Sequence, residues 1–420
     1  METPTVLVSL PDPPPSPVDA LPNELLNAIF EHLFCDTEEE YDTISPVDKL
    51  LLVCKRWHYL ALANTMLWSR IEIIIRDSQE IEPRTAYAAS RIQRSGSLQL
   101  LDITLETIGN AGTPENTASL DMAMNLLLET LSGPHGEISI RWKSLDASIG
   151  RSFAKEERIC QFLSFPTPSL NSLSLSGVES SGSHILPYTP SLQFLYLGFC
   201  ALARYPSTRN VTHLQLSTSR NSSWDMRAIA EASLLQELGL DSWYEYTLMP
   251  AQYPSLRSLY LRGRIIAGCI RDIVAPNLKE LTVLVDDGEG YAHVAECPGI
   301  DLGRLDYAQI GWPHYIENAS IEMYLQPVRN FLNLATGLKT LEFEDKPMAT
   351  LVFKLLTTDC QHLFQEHVLT LRLDDESVEL GHGERRLETL NDLRRRVQCS
   401  PPDDATWEDI YRELASCLDF

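Results

Sequence analysis

The chain has 420 residues, 44% of them hydrophobic and 22% charged, which is ample for a large core and not the composition of a disordered chain. Its formal net charge of −24 sets it against phosphate backbones and anionic bilayers, and so against nucleic-acid and membrane partners. Nine cysteines, scattered and never spaced C-x-x-C, argue against a disulfide framework or a cysteine zinc site and fit a reducing, cytoplasmic or nuclear compartment.

The opening METPTVLVSLPDPPPSPVDA has no basic segment before its short apolar run and is not read as a signal peptide. No run approaches the roughly 18 apolar residues that cross a bilayer. Six prolines within residues 1–18 predict a disordered, polyproline-like arm. The stretch LPNELLNAIFEHLF (21–34) then predicts a helix with two apolar rows. Leu21, Leu25, Ile29 and Leu33 form one; Leu26, Phe30 and Phe34 form the other, about 100° around the helix. One row is enough to dock a helix on its own protein, so the second asks for a second contact.

An acidic loop, CDTEEEYDTI, follows. Ser45, Pro46 and Asp48 then supply a cap, a first-turn proline and a capping-box-like acid, which predicts a helix continuing through KLLLVCKRWHYLALA. Ile71, Ile73 and Ile75, alternating around Glu72, predict a strand.

Beyond it the chain repeats itself. PSLNSLSL (168–175), PSLQFLYL (190–197), PSLRSLYL (254–261) and PNLKELTV (276–283) are close copies. VTHLQL (211–216), LQELGL (235–240), LGRLDY (302–307), LKTLEF (338–343) and VLTLRL (368–373) are looser ones, and LQLLDI (98–103) and WKSLDA (142–147) are earlier candidates. Anchored on their first apolar residue, the units at 170, 192, 211, 235, 256, 278 and 302 are 19 to 24 residues apart. Longer steps to 338 and 368 predict helical insertions. The L-x-x-L-x-L core at this period is that of leucine-rich repeats. Its last two leucines lie two apart and share one face of a strand, and only stacked units can bury that face. The expected fold is α/β: short N-terminal helices, then an irregular solenoid with a curved parallel sheet over residues 71–382. A β/α barrel is the competing architecture, but steps near 22 residues leave little room for eight full helices. Residues 383–420 read as C-terminal helices, and Arg385, Arg386, Arg394, Arg395 and Arg396 in them as a solvated face.

The pattern L-P-x-E-L-L-x-x-I-F, a gap, then L-L-x-V-C-K-R-W closely resembles the F-box motif. Leu21, Pro22, Glu24, Leu25, Ile29, Phe30, Leu51, Val53, Cys54, Lys55 and Trp57 stand where it has its typical residue types. MLWSRIEI resembles the exit that often follows, and RSGSLQLLDITL (94–105) a stretch common in fungal F-box proteins with degenerate leucine-rich repeats. The F-box resemblance covers about residues 19–70, with a loop from Cys35 to Ile44 that is longer and more acidic than usual. It implies a substrate receptor of an SCF-type (cullin–RING) ubiquitin ligase. The F-box would bind a Skp-type adaptor, and through it cullin; the repeats would bind a protein substrate. On this reading Leu21, Pro22, Leu25, Ile29 and Leu51 face the adaptor, while Phe30, Leu52 and Trp57 form the internal core of the F-box. The alternative is that both rows face one intramolecular core.

Phe194, Tyr196 and Tyr260 fall at outward positions of the expected sheet, with Arg262 next beyond Leu261. Aromatic and arginine side chains on an otherwise polar surface are typical interface anchors. Three strand steps would place Tyr196 and Tyr260 about 14 Å apart, so these four residues form the candidate substrate patch. Catalytic spacing is missing: no P-loop, G-x-G-x-x-G, G-x-S-x-G or H-E-x-x-H occurs. DDGEG (286–290) reads as a solvent turn, His362 and His367 do not share a helix face, and Cys54 reads as a buried packing residue. The chain is expected to be a binding protein without an enzyme's chemistry, metal or cofactor. Its alternative is an F-box/repeat scaffold acting outside ubiquitination.

Overall fold

The computed structural model describes residues 17–36, 46–108, 117–150, 156–180, 185–202, 205–217, 230–241, 251–263, 270–271, 273–285, 288–311, 322–343, 355, 369–373 and 376–380. Residues 1–16 of the expected arm, 37–44 of the acidic loop, the histidines at 362 and 367 and the C-terminal helices lie outside them, while Pro17–Ala20 form a 3-10 turn and Cys35 and Asp36 end the first helix.

Three helices open the fold: α1 (Asn23–Asp36), α2 (Pro46–Val53) and α3 (Lys55–Ala63). The single helix expected from Pro46 onward is broken at Cys54, which is extended (φ −158°, ψ 168°) and starts α3 anew. The break lets α2 and α3 turn different faces onto α1. Leu26 and Phe30 of α1, Val47 of α2, Ala61 of α3, and Leu67 and Trp68 just beyond form a small closed core. The Phe30 and Trp57 rings pack against each other with centroids 4.9 Å apart.

The rest is one sheet and what backs it. Its strands are β1 (Arg70–Ile75), β2 (Leu101–Thr107), β3 (Trp142–Ser148), β4 (Ser172–Ser176), β5 (Phe194–Gly198), β6 (His213–Ser217), β7 (Glu237–Asp241), β8 (Ser258–Arg262), β9 (Glu280–Leu284), β10 (Tyr307–Gly311), β11 (Thr340–Phe343), β12 (Leu369–Leu373) and β13 (Glu376–Leu380). Their order in the 13-stranded sheet is their order in sequence, every pairing is parallel except β12 with β13, and β1 and β13 lie at opposite ends. An open sheet of this kind is a repeat-like solenoid and not a closed barrel.

Alternation sets which face is buried. Leu173 and Leu175, Leu195 and Leu197, Leu214 and Leu216, Leu238 and Leu240, and Leu259 and Leu261 all face one continuous core that runs from Ile71 to Leu355. Repeat length sets what closes that core behind the sheet. Strands starting at 70, 101, 142 and 172 are widely spaced, and the intervals hold α4 (Ile81–Arg94), α5 (Thr117–Ser132) and α6 (Glu156–Phe162). From 172 to 280 the strands start 19 to 24 residues apart, and among the described residues two-residue strands lie in the return segments: Glu179–Ser180 pairs with Ala201–Leu202, and Ala251–Gln252 with Ile273–Val274. Beyond β9 the spacing lengthens again and holds α7 (Gly288–Ala295) and α8 (Glu322–Leu334). The second of these is one of the expected insertions.

Two sequence expectations shift here. The unit anchored at 302 is really anchored at Leu305, because Ala308 and Ile310 are the buried strand residues and Leu302 lies in a single 3-10 turn before them. The DDGEG stretch runs into the first turn of α7, where a Cβ on Gly290 would come within 2.8 Å of Val285. Glycine there serves close packing rather than an exposed turn.

The small helical core is fixed to the sheet by Trp68. Its Nε1 donates to the Ala61 carbonyl at 2.9 Å, while the Arg91 and Arg94 guanidinium groups of α4 lie 5.1 and 4.4 Å from its ring centre. Arg91, almost fully buried, also donates to the Leu67 carbonyl at 3.0 Å.

Candidate functional site

Two surfaces stand out. The first is on α1. Its row Leu26–Phe30 is buried, at 1% and 0% exposure, while Leu25, Ile29 and Leu33 are 52%, 41% and 51% exposed. Pro22 is exposed as well, and its carbonyl accepts the Leu26 N–H at 3.1 Å to start the helix. Leu21 and Leu51 are half-buried against the small core. Leu52, expected inside, is 78% exposed. The reason is helical spacing. Val47, Leu50 and Leu51 take the inward positions of α2, and Leu52 falls about 100° away from Leu51. Val53, Tyr59, Leu62 and Met66 extend the exposed apolar set.

Polar bonds hold this face in shape. The Arg56 guanidinium donates to Asn23 Oδ1, at 3.0 Å from Nε and 2.7 Å from Nη2, and to the Leu21 carbonyl. Asn64 Nδ2 donates to Glu31 at 2.9 Å. Together they pin both ends of α1 to α3. Cys54, expected to be buried, is exposed, because the chain break gives it a corner instead of a helix interior. His58 Nδ1 meets the Leu51 carbonyl oxygen at 3.1 Å.

The second surface is the open face of the sheet. Phe194, Tyr196 and Tyr260 line one hollow of about 550 Å³, with Ser172, Ser174, His213, Gln215, Glu237, Gly239 and Ser258. Tyr196 and Tyr260 are three strand steps apart in one register column. Arg262 lies outside the hollow, in register with Asp241 on β7. Two features connect the lining. The Phe194 and His213 rings stack with centroids 4.4 Å apart, and His213 Nε2 lies 3.2 Å from Glu237 Oε1 while its Nδ1 meets Thr212 Oγ1 at 2.8 Å. Tyr196 leans along its own strand onto Gly198, where a Cβ would come within 2.7 Å of its hydroxyl. Burial raises the pKa of that hydroxyl, with the negative field of Asp241, Cys200 and Asp146 adding to it.

His213, Gln215 and Glu237 were recognisable in sequence as outward residues, but their convergence with Gly239 was not. The available signal was that they hold equivalent positions in successive units. The whole face is acidic. From β1 to β11 its outward positions hold Glu72, Asp102, Glu106, Asp146, Glu237, Asp241, Glu280 and Glu342 against Arg70, Arg262 and the exposed Lys143, whose Nζ lies 3.4 Å from Asp102 Oδ2. Burial pushes the Asp241 carboxyl up, against the lowering effects of Arg262 and of a hydrogen bond from Ser217.

Among the described residues no group of three His, Cys, Asp or Glu side chains could hold a metal ion, and no helix is long and apolar enough to cross a membrane. Cys200 is buried, donates to the Leu175 and Gly198 carbonyls at 3.4 and 3.3 Å, and has its thiol pKa pushed up to about 11 by burial. It closes a solenoid turn.

No curated protein matches the chain. The F-box-like family model matches residues 18–74, which takes in all three N-terminal helices, the Trp68 turn and most of β1. Proteins with this domain are typically non-catalytic adaptors. Residues 18–74 are therefore an F-box-like domain, which implies binding to a Skp-type adaptor, and it runs directly into the first strand of a leucine-rich-repeat-like sheet.

Proposed function

We propose that this chain is a substrate receptor of an SCF-type (cullin–RING) ubiquitin ligase. Its F-box docks on a Skp-type adaptor, which links it to cullin, and the open face of its sheet takes a protein substrate. The chain does no chemistry itself; it raises the local concentration of the substrate beside the transfer machinery. The observation that supports this most is the division of α1. One apolar row closes the domain's own core, and among the described residues the row Leu25–Ile29–Leu33 stays about half exposed. An amphipathic helix with such a row fits a partner's groove. Leu25, Ile29 and Pro22 form the centre of the adaptor contact, Leu21 and Leu51 its half-buried edge. Phe194, Tyr196 and Tyr260 are the substrate anchors. Arg262 works at the margin, beside Asp241.

The test is co-purification of the full chain with a Skp-type adaptor, beside the double variant Leu25→Asp/Ile29→Asp. A stoichiometric complex that the variant loses while remaining folded is the expected result. A folded wild-type chain that captures no adaptor overturns the ligase reading and leaves a repeat scaffold acting outside ubiquitination.

A further inference from the structure

The hollow has one position without a side chain of its own. Tyr196, Gln215, Gly239 and Tyr260 are successive neighbours in one column of outward positions. Gln215 and Tyr260 are two strand spacings, about 10 Å, apart. Gln215 leans over the glycine between them: a Cβ on Gly239 would come within 3.0 Å of its Cγ, and Gly239 is buried.

Negative charge lies on both sides of this glycine. Glu237 and Asp241 flank Gly239 on β7 and project to the same face, about 13 Å apart along the strand. Glu237 lines the hollow beside His213, with 58% of its side chain open. Asp241 lies beyond the lining, in register with Arg262, and its Oδ1 atom is buried without a hydrogen-bond partner. The hollow thus has one carboxylate in its wall, a second just outside it, and the Tyr260 ring alongside.

We propose that this hollow receives a basic side chain, an arginine or lysine, carried on a segment of the protein substrate that lies across β4 to β8. This occupant rests on the reading of the open face as the substrate surface, and it names the class of substrate. Charge selects it. A cation satisfies carboxylates that an apolar side chain would desolvate without return. It is also attracted to the face of a tyrosine ring. An acidic or phosphorylated segment would meet eight outward carboxylates against two guanidinium groups and the Lys143 ammonium, and be repelled. The chain's formal charge of −24 draws basic partners from a distance as well.

The experiment uses the full chain with fluorescein-labelled peptides on one Gly/Ser scaffold, bearing two arginines, two leucines or two glutamates, and reads binding by fluorescence anisotropy. The arginine peptide is expected to bind best and to weaken with added salt. Glu237→Gln/Asp241→Asn should weaken it about tenfold, the loss of roughly one charge-assisted hydrogen bond. Glu237→Gln alone, at an exposed position, should weaken it by a smaller factor, and it covers the event that the double variant does not fold. Leucine or glutamate peptides that bind as tightly, with binding lost in Tyr196→Ala/Tyr260→Ala, overturn the basic class and leave the hollow as the substrate surface. An arginine peptide whose affinity is indifferent to both carboxylate variants also overturns the basic class. Absence of binding by every peptide at millimolar concentration overturns both the basic class and the hollow as a docking site.

Discussion

At the scale of single residues, neighbours on one helix separate stability from recognition. Phe30 is fully buried against the Trp57 ring, so Phe30→Ala should cost about 3–5 kcal/mol of stability, as aromatic deletions in cores do, measured by chemical denaturation. Leu52, at 78% exposure, should tolerate Leu52→Ser to within about 0.5 kcal/mol. A large loss would mean that it packs inside after all. The cysteines separate in the same way. Cys54 is exposed, whereas Cys200 is buried with its thiol raised to about 11. Alkylation at neutral pH followed by mass spectrometry should modify Cys54 and spare Cys200 until the chain unfolds. Cys200 also gives the fold a pH limit. A thiol with its pKa raised above the ordinary 9.0 stays neutral in the fold after the unfolded chain has begun to ionise. Its stabilising effect is complete below pH 9 and is lost as pH rises toward 11. Tyr253, buried and raised to about 12, extends the loss upward. Melting temperature should therefore fall steadily above pH 9.

At the scale of elements, the turns that end three of the strands share a backbone demand. The residue just past β4 is Gly177 (φ +73°), past β5 Phe199 (φ +54°) and past β8 Gly263 (φ +106°). Each donates its N–H to the carbonyl that ends the next strand: Gly198, Ser217 and Leu284. Two of the three positions use the residue suited to positive φ, and Phe199 carries the side-chain penalty. Phe199→Gly should then gain about 1 kcal/mol, seen as a higher melting temperature, and a loss would show that the exposed ring contributes packing that outweighs its strain. The link between helices and sheet is also an element-scale matter. The contacts of Arg91 and Arg94 with Trp68, and the bond from Arg91 to Leu67, couple the F-box-like domain to α4. Arg91→Met should uncouple them, so that calorimetry shows an early, separate transition of the helical domain.

At the scale of the whole molecule, two cores lie at one end and along the length of an open sheet. Pattern alone largely determined this architecture. Leucines two apart at a 19–24-residue period require short strands that bury one face, and stacking is how such units find cover. The two apolar rows of residues 21–34 likewise marked two faces of one helix, of which Leu26 and Phe30 are buried and Leu25, Ile29 and Leu33 exposed. Three-dimensional packing decided the rest. Packing on α1 chose which face of α2 turns inward, so that Val47, Leu50 and Leu51 meet the core and Leu52 is exposed, and the break at Cys54 left that residue at an exposed corner. The anchor moved from Leu302 to Leu305 because both are apolar, and only pairing with β9 selects between them. Tyr196, Gly239 and Tyr260 are distant in sequence and mean little separately. Parallel register brings them into one column, with Glu237 and Asp241 at either side. Local periodicity is written in the chain because a strand or helix repeats within a few residues. Convergence across units depends on register, which is fixed only when the whole stack has formed.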